Sequence, residues 1–292
     1  MKISRILFTA VLTAAVFIAA GCSGGNAAQT TTTAALTAET TTTPTAAETT
    51  EKATEATDSD GGRVTDNYGR QANIVRTAEE LAGKKVIALT FDDGPNTGVT
   101  NEILDIAEEY GIKFSFFVIG QNIDEESEAV MRRAHALGCE INSHSWTHSD
   151  MTKLTAEEIK SEMERTAAAI YDAVSEDPKF FRPPYIAVNS TLYEAVDLPF
   201  ISGIGCNDWE DNVSVEKRVK FLTEKCPDGV IVLLHDQPTN EKTAEAVRQA
   251  VPVLLEQGFE FVTCSELFVA KGITPSADKE IIYSYATESG WK

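Results

Sequence analysis

The segment Lys85–Pro95, with the sequence KVIALTFDDGP, joins a short apolar run to two adjacent carboxylates. The run from Lys85 to Phe91 has the length and composition of a buried β-strand. Asp92 and Asp93 follow at its end, where two neighbouring negative charges repel each other unless a cation or a shared proton relieves them. We therefore expect a functional site at this strand end.

Downstream of this segment, short apolar runs alternate with amphipathic stretches. The pattern predicts seven strands, at 85–91, 114–119, 139–142, 180–182, 200–205, 229–234 and 259–263. It predicts helices at 100–110, 128–137, 155–174, 215–225 and 243–257. The third of these helices begins with a capping box formed by Thr155 and Glu158. Alternating strands and helices favour a parallel sheet covered by helices, either a doubly wound sheet or a barrel, and both folds bind ligands beyond the carboxyl ends of the strands.

The chain is strongly acidic. Its 292 residues include 25 Lys and Arg against 45 Asp and Glu, a formal net charge of −20. Such a charge repels nucleic acid and anionic lipid surfaces unless a local basic patch intervenes, and the sequence contains no such patch. With 42% hydrophobic and 24% charged residues, the composition is that of a globular protein.

The first 21 residues resemble an export signal. Lys2 and Arg5 precede an apolar run, Ile6 to Ala20, that is shorter than the roughly 20 residues needed to cross a bilayer. Small residues then lead directly to Cys22, as in the lipobox of bacterial lipoproteins, although ordinary signal cleavage with an incidental Cys22 is the alternative. We expect an exported protein, lipid-anchored at Cys22 on the cell membrane and facing the cell wall or the extracellular side.

Residues 22–70 differ in composition from the rest of the chain. They are rich in Thr, Ala, Glu and Gly and contain almost no large apolar side chain. Such a segment cannot offset the entropy of ordering, so a disordered tether is expected. Residues 71–292 then form a single domain.

Four cysteines lie in that domain: Cys139, Cys206, Cys226 and Cys264. Export permits disulfides, and sequence cannot choose among the possible pairings. Three of the four lie in apolar strand-like runs, where a buried thiol is the default. Their spacings do not fit a cysteine zinc site.

Reactive side chains follow several predicted strands. His144 and His148 follow the third strand. Two imidazoles four residues apart on one face of a helical turn can converge on one ion, and an Asp oxygen completes a three-ligand site with an open position for water. Arg182 ends the fourth strand on a stiff Pro-Pro turn and could orient a carboxylate. Asp208 and His235 follow the fifth and sixth strands.

Each of these features has an ordinary structural explanation when taken singly: a turn, a surface pair, a salt bridge or a helix cap. However, three of the four histidines in the chain fall just after predicted strands, where a parallel α/β fold gathers its functional groups. His135, in a predicted helix, is the exception and is expected to be structural. We therefore interpret the strand ends together as one site.

Five ordered motifs, at 90–95, 144–148, 182–185, 208–209 and 233–236, resemble those of polysaccharide deacetylases with a NodB homology domain, carbohydrate esterase family 4. The resemblance runs from Lys84 to Leu267 and so covers nearly all of the predicted domain, residues 71–292. It implies a distorted barrel of seven parallel strands with surrounding helices. It also implies an enzyme that removes acetyl groups from sugars with the help of a metal ion.

The resemblance implies a role for each motif residue. Asp93, His144 and His148 are implied as the ligands of one divalent metal ion, which is the site that the spacing also indicates. Zinc suits this set, although cobalt or another divalent ion could occupy it. Asp92 is implied as the general base and His235 as the general acid.

The remaining motif residues are implied to support these groups. Arg182 is implied to orient the base, and Asp208 to hold and tune the acid. The backbone N–H of Tyr185 is implied to stabilise the oxyanion. Trp209 and Leu233 are implied to wall a small pocket for the acetyl methyl group.

Two departures from the family pattern lie near these motifs. Ile186 stands where many members have Gly, so the loop after Arg182 is expected to run differently and to reshape sugar binding. Cys206 and Asn207 stand where many members carry an Asp before the Asp-Trp pair, which leaves the surroundings of Asp208 open.

The motifs do not identify the glycan, because an amide on N-acetylglucosamine and an ester on xylose meet the same catalytic groups. The expected anchor favours N-acetylglucosamine in peptidoglycan or a chitin-like glycan, whereas segments 197–209 and 265–268 look like clostridial members that include acetyl-xylan esterases. A non-catalytic glycan-binding lipoprotein would usually lack a ligand or the acid, and a serine hydrolase would need a GxSxG elbow, which the sequence lacks. We expect a monomer whose partner is its polysaccharide substrate.

Overall fold

The computed structural model describes residues 75–277 and 281–287. The expected signal peptide (1–21), tether (22–70) and lipidation site at Cys22 lie outside the described residues. Within the described ranges, no helix combines the length and apolar character that a membrane span requires.

Strands and helices alternate along the described chain. The strands are β1 (Lys85–Asp92), β2 (Ser115–Val118), β3 (Glu140–Ser143), β4 (Phe200–Ile201), β5 (Val230–His235), β6 (Phe259–Phe261) and β7 (Ile282–Tyr283). The α-helices are α1 (Ala78–Leu81), α2 (Val99–Tyr110), α3 (Glu125–Ala136), α4 (Ala156–Val174), α5 (Ser190–Ala195), α6 (Val215–Lys225), α7 (Glu241–Glu256) and α8 (Cys264–Lys271). Helix α6 has its predicted bounds, and the predicted capping box of Thr155 and Glu158 begins α4.

Strand β1 lies at the centre of a parallel sheet. It pairs along one edge with β5, from Ile87 opposite Val230 to Asp92 opposite His235. Along its other edge it pairs with β6 and β2, and β3 continues the sheet beyond β2. Because these strands are parallel, their carboxyl ends meet at one end of the sheet. Two predicted site residues, Asp92 and His235, are therefore direct neighbours across β1 and β5.

Isolated bridges connect this sheet into a distorted barrel. Ser143 at the end of β3 bridges to Phe181, and Phe181 bridges to Phe200 in β4. Ile204, just after β4, bridges to Val232 in β5. The predicted α/β class, with parallel strands and surrounding helices, is confirmed.

Four predicted strands are shorter than expected, and the fourth and fifth lose most of their length. The fourth is reduced to bridges at Phe181, and the fifth ends at Ile201. Gly203 has a φ angle of +125°, and a Cβ atom there would lie 3.1 Å from the carbonyl oxygen of Ile231 in β5. The chain therefore leaves the extended conformation at a glycine that closely approaches the neighbouring strand.

Strand β7 follows α8 near the end of the described chain. In the structure, Ile282 pairs with Phe200 of β4 in parallel, and both residues of β7 are buried.

The four cysteines of the domain are thiols in the structure. Cys139 and Cys264 are fully buried, as predicted, and burial raises the pKa of the Cys139 thiol to about 12. Cys206 and Cys226 are half-buried. Cys206 lies in the loop after β4 and is not buried as expected, whereas Cys139 lies just before β3 and Cys264 is the first residue of α8.

Candidate active site

A cavity of about 480 Å³ opens at the carboxyl ends of the strands. Its lining combines segments that are far apart in the sequence: Asp92, Asp93, His144, His148, Tyr185, Ile186, Trp209, Leu233, His235 and Gln237. The two remaining predicted site residues, Arg182 and Asp208, are fully buried and contact lining residues. The structure therefore gathers all the residues that the sequence analysis assigned to one site in this domain.

Three side chains in this cavity form a potential metal site. Asp93 Oδ1 lies 3.5 Å from His144 Nε2 and 3.4 Å from His148 Nε2. The edge of a tetrahedron with metal–ligand bonds of about 2.0–2.2 Å is about 3.3–3.6 Å long, so these separations fit one ion. Asp93 Oδ1 is also buried and accepts no hydrogen bond within the described chain. A buried carboxylate oxygen without a donor is what a cation would satisfy, so the residues present fit a divalent ion.

His144 is held in the form that can bind a metal. Its Nδ1 donates a hydrogen bond to the backbone carbonyl oxygen of Arg182, at 2.7 Å, so the lone pair lies on Nε2, which faces Asp93. Burial lowers the pKa of His144 to about 3, although the charge of Asp93 opposes this effect. The imidazole is therefore neutral over the whole physiological range.

The segment between the two histidines is a loop, and not the helical turn that their spacing indicated. Ser145 and His148 have φ angles of +67° and +58°, in the left-handed region, which does not continue a right-handed helix. Asp93 has a φ angle of +76°. Non-glycine residues rarely adopt this backbone conformation unless surrounding contacts impose it. Two of the three residues of the potential metal site, Asp93 and His148, adopt this left-handed conformation.

Glu162 on α4 supports this loop, and the sequence analysis missed it. Its Oε2 accepts hydrogen bonds from the backbone N–H groups of Trp146 (2.9 Å) and Thr147 (2.8 Å). Thr147 Oγ1 lies 3.1 Å from each carboxylate oxygen of Glu162. In the sequence, Glu162 is one of several acidic residues of an amphipathic helix. Only its position on the buried face of that helix distinguishes it.

Asp92 is buried beside Arg182. Nη1 of Arg182 donates a hydrogen bond to Asp92 Oδ1, and the guanidinium lies 4.0 Å from the centroid of the Phe117 ring. Burial raises the pKa of Asp92 above its ordinary value, although the charge of Arg182 opposes this shift. The other oxygen, Oδ2, lies 3.7 Å from His144 Nε2. Asp92 therefore stands next to the potential metal site with one oxygen held by Arg182.

His235 forms a close pair with Asp208. Its Nδ1 lies 2.9 Å from Asp208 Oδ1, and its backbone N–H donates to Asp208 Oδ2 at 2.8 Å. Burial disfavours the charged imidazole, but the hydrogen bond and the charge of Asp208 outweigh burial and hold the pKa of His235 above its ordinary value. His235 can therefore carry a proton near neutral pH.

Three further residues hold Asp208, and the sequence analysis missed them. Thr243 Oγ1 donates to Asp208 Oδ2 at 2.7 Å, and Asn240 Nδ2 lies 3.4 Å from the same oxygen. The buried Arg218 donates to Asn240 Oδ1 and to Thr243 Oγ1, both at 2.7 Å. The two departures from the family pattern just before Asp208 therefore leave this carboxylate well supplied with hydrogen bonds.

The turn after β1 depends on a close approach between Gly94 and Asp236. A Cβ atom at Gly94 would lie 2.5 Å from Asp236 Oδ2, so only glycine fits. The backbone N–H of Asp236 donates to the carbonyl oxygen of Asp92 at 3.0 Å, and Thr100 Oγ1 donates to Asp236 Oδ2. Burial raises the pKa of Asp236 to about 7. Asp236 thus holds the turn that contains Asp92 and Asp93 next to the end of β5.

Apolar and aromatic side chains form the wall of the cavity. Tyr185 and Trp209 are 69% and 47% exposed, whereas Leu233 is only 8% exposed. The Tyr185 ring lies 4.8 Å from the His148 ring, and the Trp209 ring lies 5.0 Å from the His235 ring, measured between centroids. A small acyl group could therefore pack next to the polar cluster.

Comparison with known proteins identifies a matching family. Residues 80–200 match the family described as Polysaccharide deacetylase. Over 198 residues the chain is 46% identical to the Bifunctional xylanase/deacetylase of Pseudobutyrivibrio xylanivorans, covering 68% of this chain and 33% of that protein. It is 35% identical over 192 residues to Peptidoglycan-N-acetylglucosamine deacetylase PgdA of Listeria monocytogenes, covering 64% of this chain and 40% of that protein. The chain thus spans less than half the length of these two relatives.

Solved structures are similar over the whole of their length. The Xyl-CE4 domain of a multidomain xylanase from the hindgut metagenome of Trinervitermes trinervoides has 48% identity and a TM-score of 0.69, covering 71% of this chain and 100% of that chain. A family 4 acetyl xylan esterase from Clostridium thermocellum, in complex with a cobalt ion, has 38% identity and a TM-score of 0.67. The match covers 70% of this chain and 100% of that chain.

Proposed function

The chain belongs to the polysaccharide deacetylase family, carbohydrate esterase family 4, and we propose that it removes acetyl groups from a cell-surface or extracellular polysaccharide. The observation that carries the proposal is the cluster of Asp93, His144 and His148, which lies next to the buried Asp92 and shares one cavity with His235. The purified protein is expected to release acetate from acetylated glycans and to lose this activity when a chelator removes divalent ions. No acetate release from any acetylated glycan after loading with zinc or cobalt would refute the proposal.

Asp93, His144 and His148 would hold the ion, and two imidazoles with one carboxylate suit zinc. When bound there, a divalent ion lowers the pKa of a water molecule and polarises the acetyl carbonyl group. Cobalt binds similar donor sets, so the ion of the native protein is best identified from the metal content of the purified domain.

The other residues have proposed roles that follow from their contacts. Asp92 takes the proton of the attacking water, and Arg182 holds it in the orientation for this transfer. His235, kept protonated by Asp208, gives a proton to the departing amine or alkoxide. The backbone N–H of Tyr185 donates to the developing oxyanion.

Two classes of glycan are candidates. The first is N-acetylglucosamine in peptidoglycan or a chitin-like polymer, which the proposed cell-surface location favours. The second is O-acetylated xylan, which the 46% identity to a xylanase/deacetylase and the likeness to an acetyl xylan esterase favour. Acetate released side by side from acetylated xylan, chitooligosaccharides and muropeptides would separate them.

Glu162→Ala is expected to weaken the affinity for a divalent ion about 10- to 100-fold, because the loop between His144 and His148 loses its hydrogen-bond acceptor. Glu162→Gln keeps one carbonyl oxygen able to accept both N–H groups, so it should retain most of the affinity. Calorimetric titration with cobalt measures the effect directly. Glu164→Ala, exposed on the same helix, is the matched control. Equal affinities of Glu162→Ala and the control would contradict the proposed support of the loop.

We also propose that the protein is exported as a monomer, anchored by lipid at Cys22 and held by a tether over residues 22–70. Export would place the deacetylase within reach of cell-wall glycans. Radiolabelled palmitate is expected to enter the full-length chain in a bacterial host and not its Cys22→Ser variant. Absence of label from the unaltered chain would refute the anchor.

A further inference from the structure

A second cavity, of about 780 Å³, adjoins the candidate active site. The two cavities share Tyr185, Ile186, Trp209 and Leu233 as lining residues, so the second is a continuation of the first. From these residues it extends past Val188 and along the chain after β4. A polymer whose acetylated unit lies in the first cavity would bring its next unit to the second.

None of the described residues that line the second cavity carries a charge at neutral pH. A carboxylate entering it would lose hydration without meeting a lysine or arginine, which is unfavourable. The net charge of −20 adds long-range repulsion of anions. The cavity is therefore suited to an uncharged occupant.

Large apolar side chains remain exposed around this cavity. Tyr185, Trp209 and Val188 are 69%, 47% and 37% exposed. Exposed apolar and aromatic groups in one concave region are typical of a binding site. Aromatic side chains offer an apolar face and a polar edge, which suits the alternating apolar and hydroxylated surfaces of a pyranose ring.

Ile186 stands in the wall that the two cavities share. Its φ angle is +55°, a left-handed conformation that is strained for a β-branched residue. Its side chain packs against the cluster that contains Leu192 and Tyr193. The family pattern described above commonly has Gly at this position. Here an apolar side chain is retained at a position where glycine would relieve strain.

We propose that the second cavity binds the sugar unit adjacent to the acetylated one and selects an uncharged pyranose over a sugar that bears a carboxylate. This inference rests on the proposed function. It predicts a preference for neutral chains, such as acetylated xylan or a chitin-like polymer, over glycans whose lactyl groups carry a free carboxylate.

The first experiment compares the unaltered protein on acetylated xylotetraose, chitotetraose and a tetrasaccharide of alternating N-acetylglucosamine and lactyl-bearing N-acetylmuramic acid. At least one neutral chain is expected to show a kcat/KM about tenfold or more above that of the acid-bearing chain. Equal or higher kcat/KM on the acid-bearing chain would overturn the proposal.

The second experiment separates charge from the bulk of the lactyl group. Val188 lines only the second cavity, and Val188→Lys places a cation there. The ratio of kcat/KM on acid-bearing to neutral chains should rise about tenfold in this variant and fall again at high salt. Val253→Lys, at a similarly exposed valine of α7, is the matched control and should leave the ratio unchanged. An unchanged ratio in Val188→Lys would count against selection by charge.

A binding measurement keeps this inference separate from the catalytic proposal. Because Trp209 lines the second cavity, unacetylated xylotetraose or chitotetraose is expected to change the tryptophan fluorescence of the protein, and Val188→Glu should weaken that binding. Hydrolysis of 4-nitrophenyl acetate by the unaltered protein reports the chemistry alone. If that ester and all the glycans are left intact, the proposed function fails. If the chemistry is present but neither xylotetraose nor chitotetraose binds, only the second-cavity proposal fails.

Discussion

Asp93→Ala and His144→Ala are each expected to abolish acetate release together with binding of the divalent ion. Asp93 Oδ1 is the shared neighbour of both histidine Nε2 atoms, at 3.4 and 3.5 Å, so either change leaves two ligands. Loss of the several kcal/mol that a metal ion contributes to charge stabilisation corresponds to a fall of at least about 10³-fold in kcat. Metal content and acetate release, measured on the same preparations, test both parts.

The control for this experiment is Asp172→Ala, which removes an exposed carboxylate from α4, far along the helix from Glu162. It should retain both metal and activity. Circular dichroism would separate loss of the ion from loss of the fold. If Asp93→Ala or His144→Ala kept full activity, the proposed metal site would be wrong.

His235→Ala is expected to lower kcat about 10²- to 10⁴-fold while leaving metal content unchanged, because it removes the proposed general acid and no proposed ligand. The fall in kcat should be larger on amide substrates than on an activated ester such as 4-nitrophenyl acetate, because an amine is a poor leaving group without a proton. An equal loss on both substrates would contradict the role of a proton donor.

Asp208→Asn tests the same acid through its pH dependence. The hydrogen bond and charge of Asp208 overcome burial and hold the pKa of His235 above 6.5. The acid must be protonated, so activity falls as the pH rises through this raised pKa. Without the charge of Asp208 the pKa drops, and the alkaline limb of the rate profile should move to lower pH. A limb that stays in place would show that it belongs to another group.

The same pair affects stability. Because the folded-state pKa of His235 is raised, its contribution to stability is fully present below the unfolded value near 6.5 and is lost as the pH rises through the folded value. In Asp208→Asn this pH-dependent contribution should be absent from thermal melts, and the melting temperature should be lower because Thr243 and Asn240 lose their acceptor.

Much of the candidate site was predictable, because the parallel arrangement of the strands determines which residues lie close together. A parallel sheet brings the carboxyl ends of its strands together, so residues just after the apolar runs of β1, β3 and β5 had to meet. The resemblance to a known family then distinguished a barrel from a doubly wound sheet, which periodicity alone could not do. Strand 200–205 was predicted too long, because a run of apolar residues does not reveal how closely Gly203 approaches β5.

The residues that sequence reasoning missed act through contacts that are distant along the chain. Glu162 and Thr243 are ordinary helix residues until α4 and α7 pack beside the loops that they support. The φ angles of Ser145 and His148 were also unpredictable, since both residues prefer the right-handed or extended regions in isolation. Tertiary hydrogen bonds impose the left-handed backbone at these positions.

By itself, the sequence determined the alternation of strands and helices, the identity of the ionisable groups and their place after the strands, because local periodicity and residue chemistry decide those features. Only the tertiary structure decided that His144 is neutral, that His235 has a raised pKa, and that a cavity whose described lining residues are uncharged adjoins the site. These properties depend on burial and on distances between side chains, which arise when segments far apart in the sequence pack together.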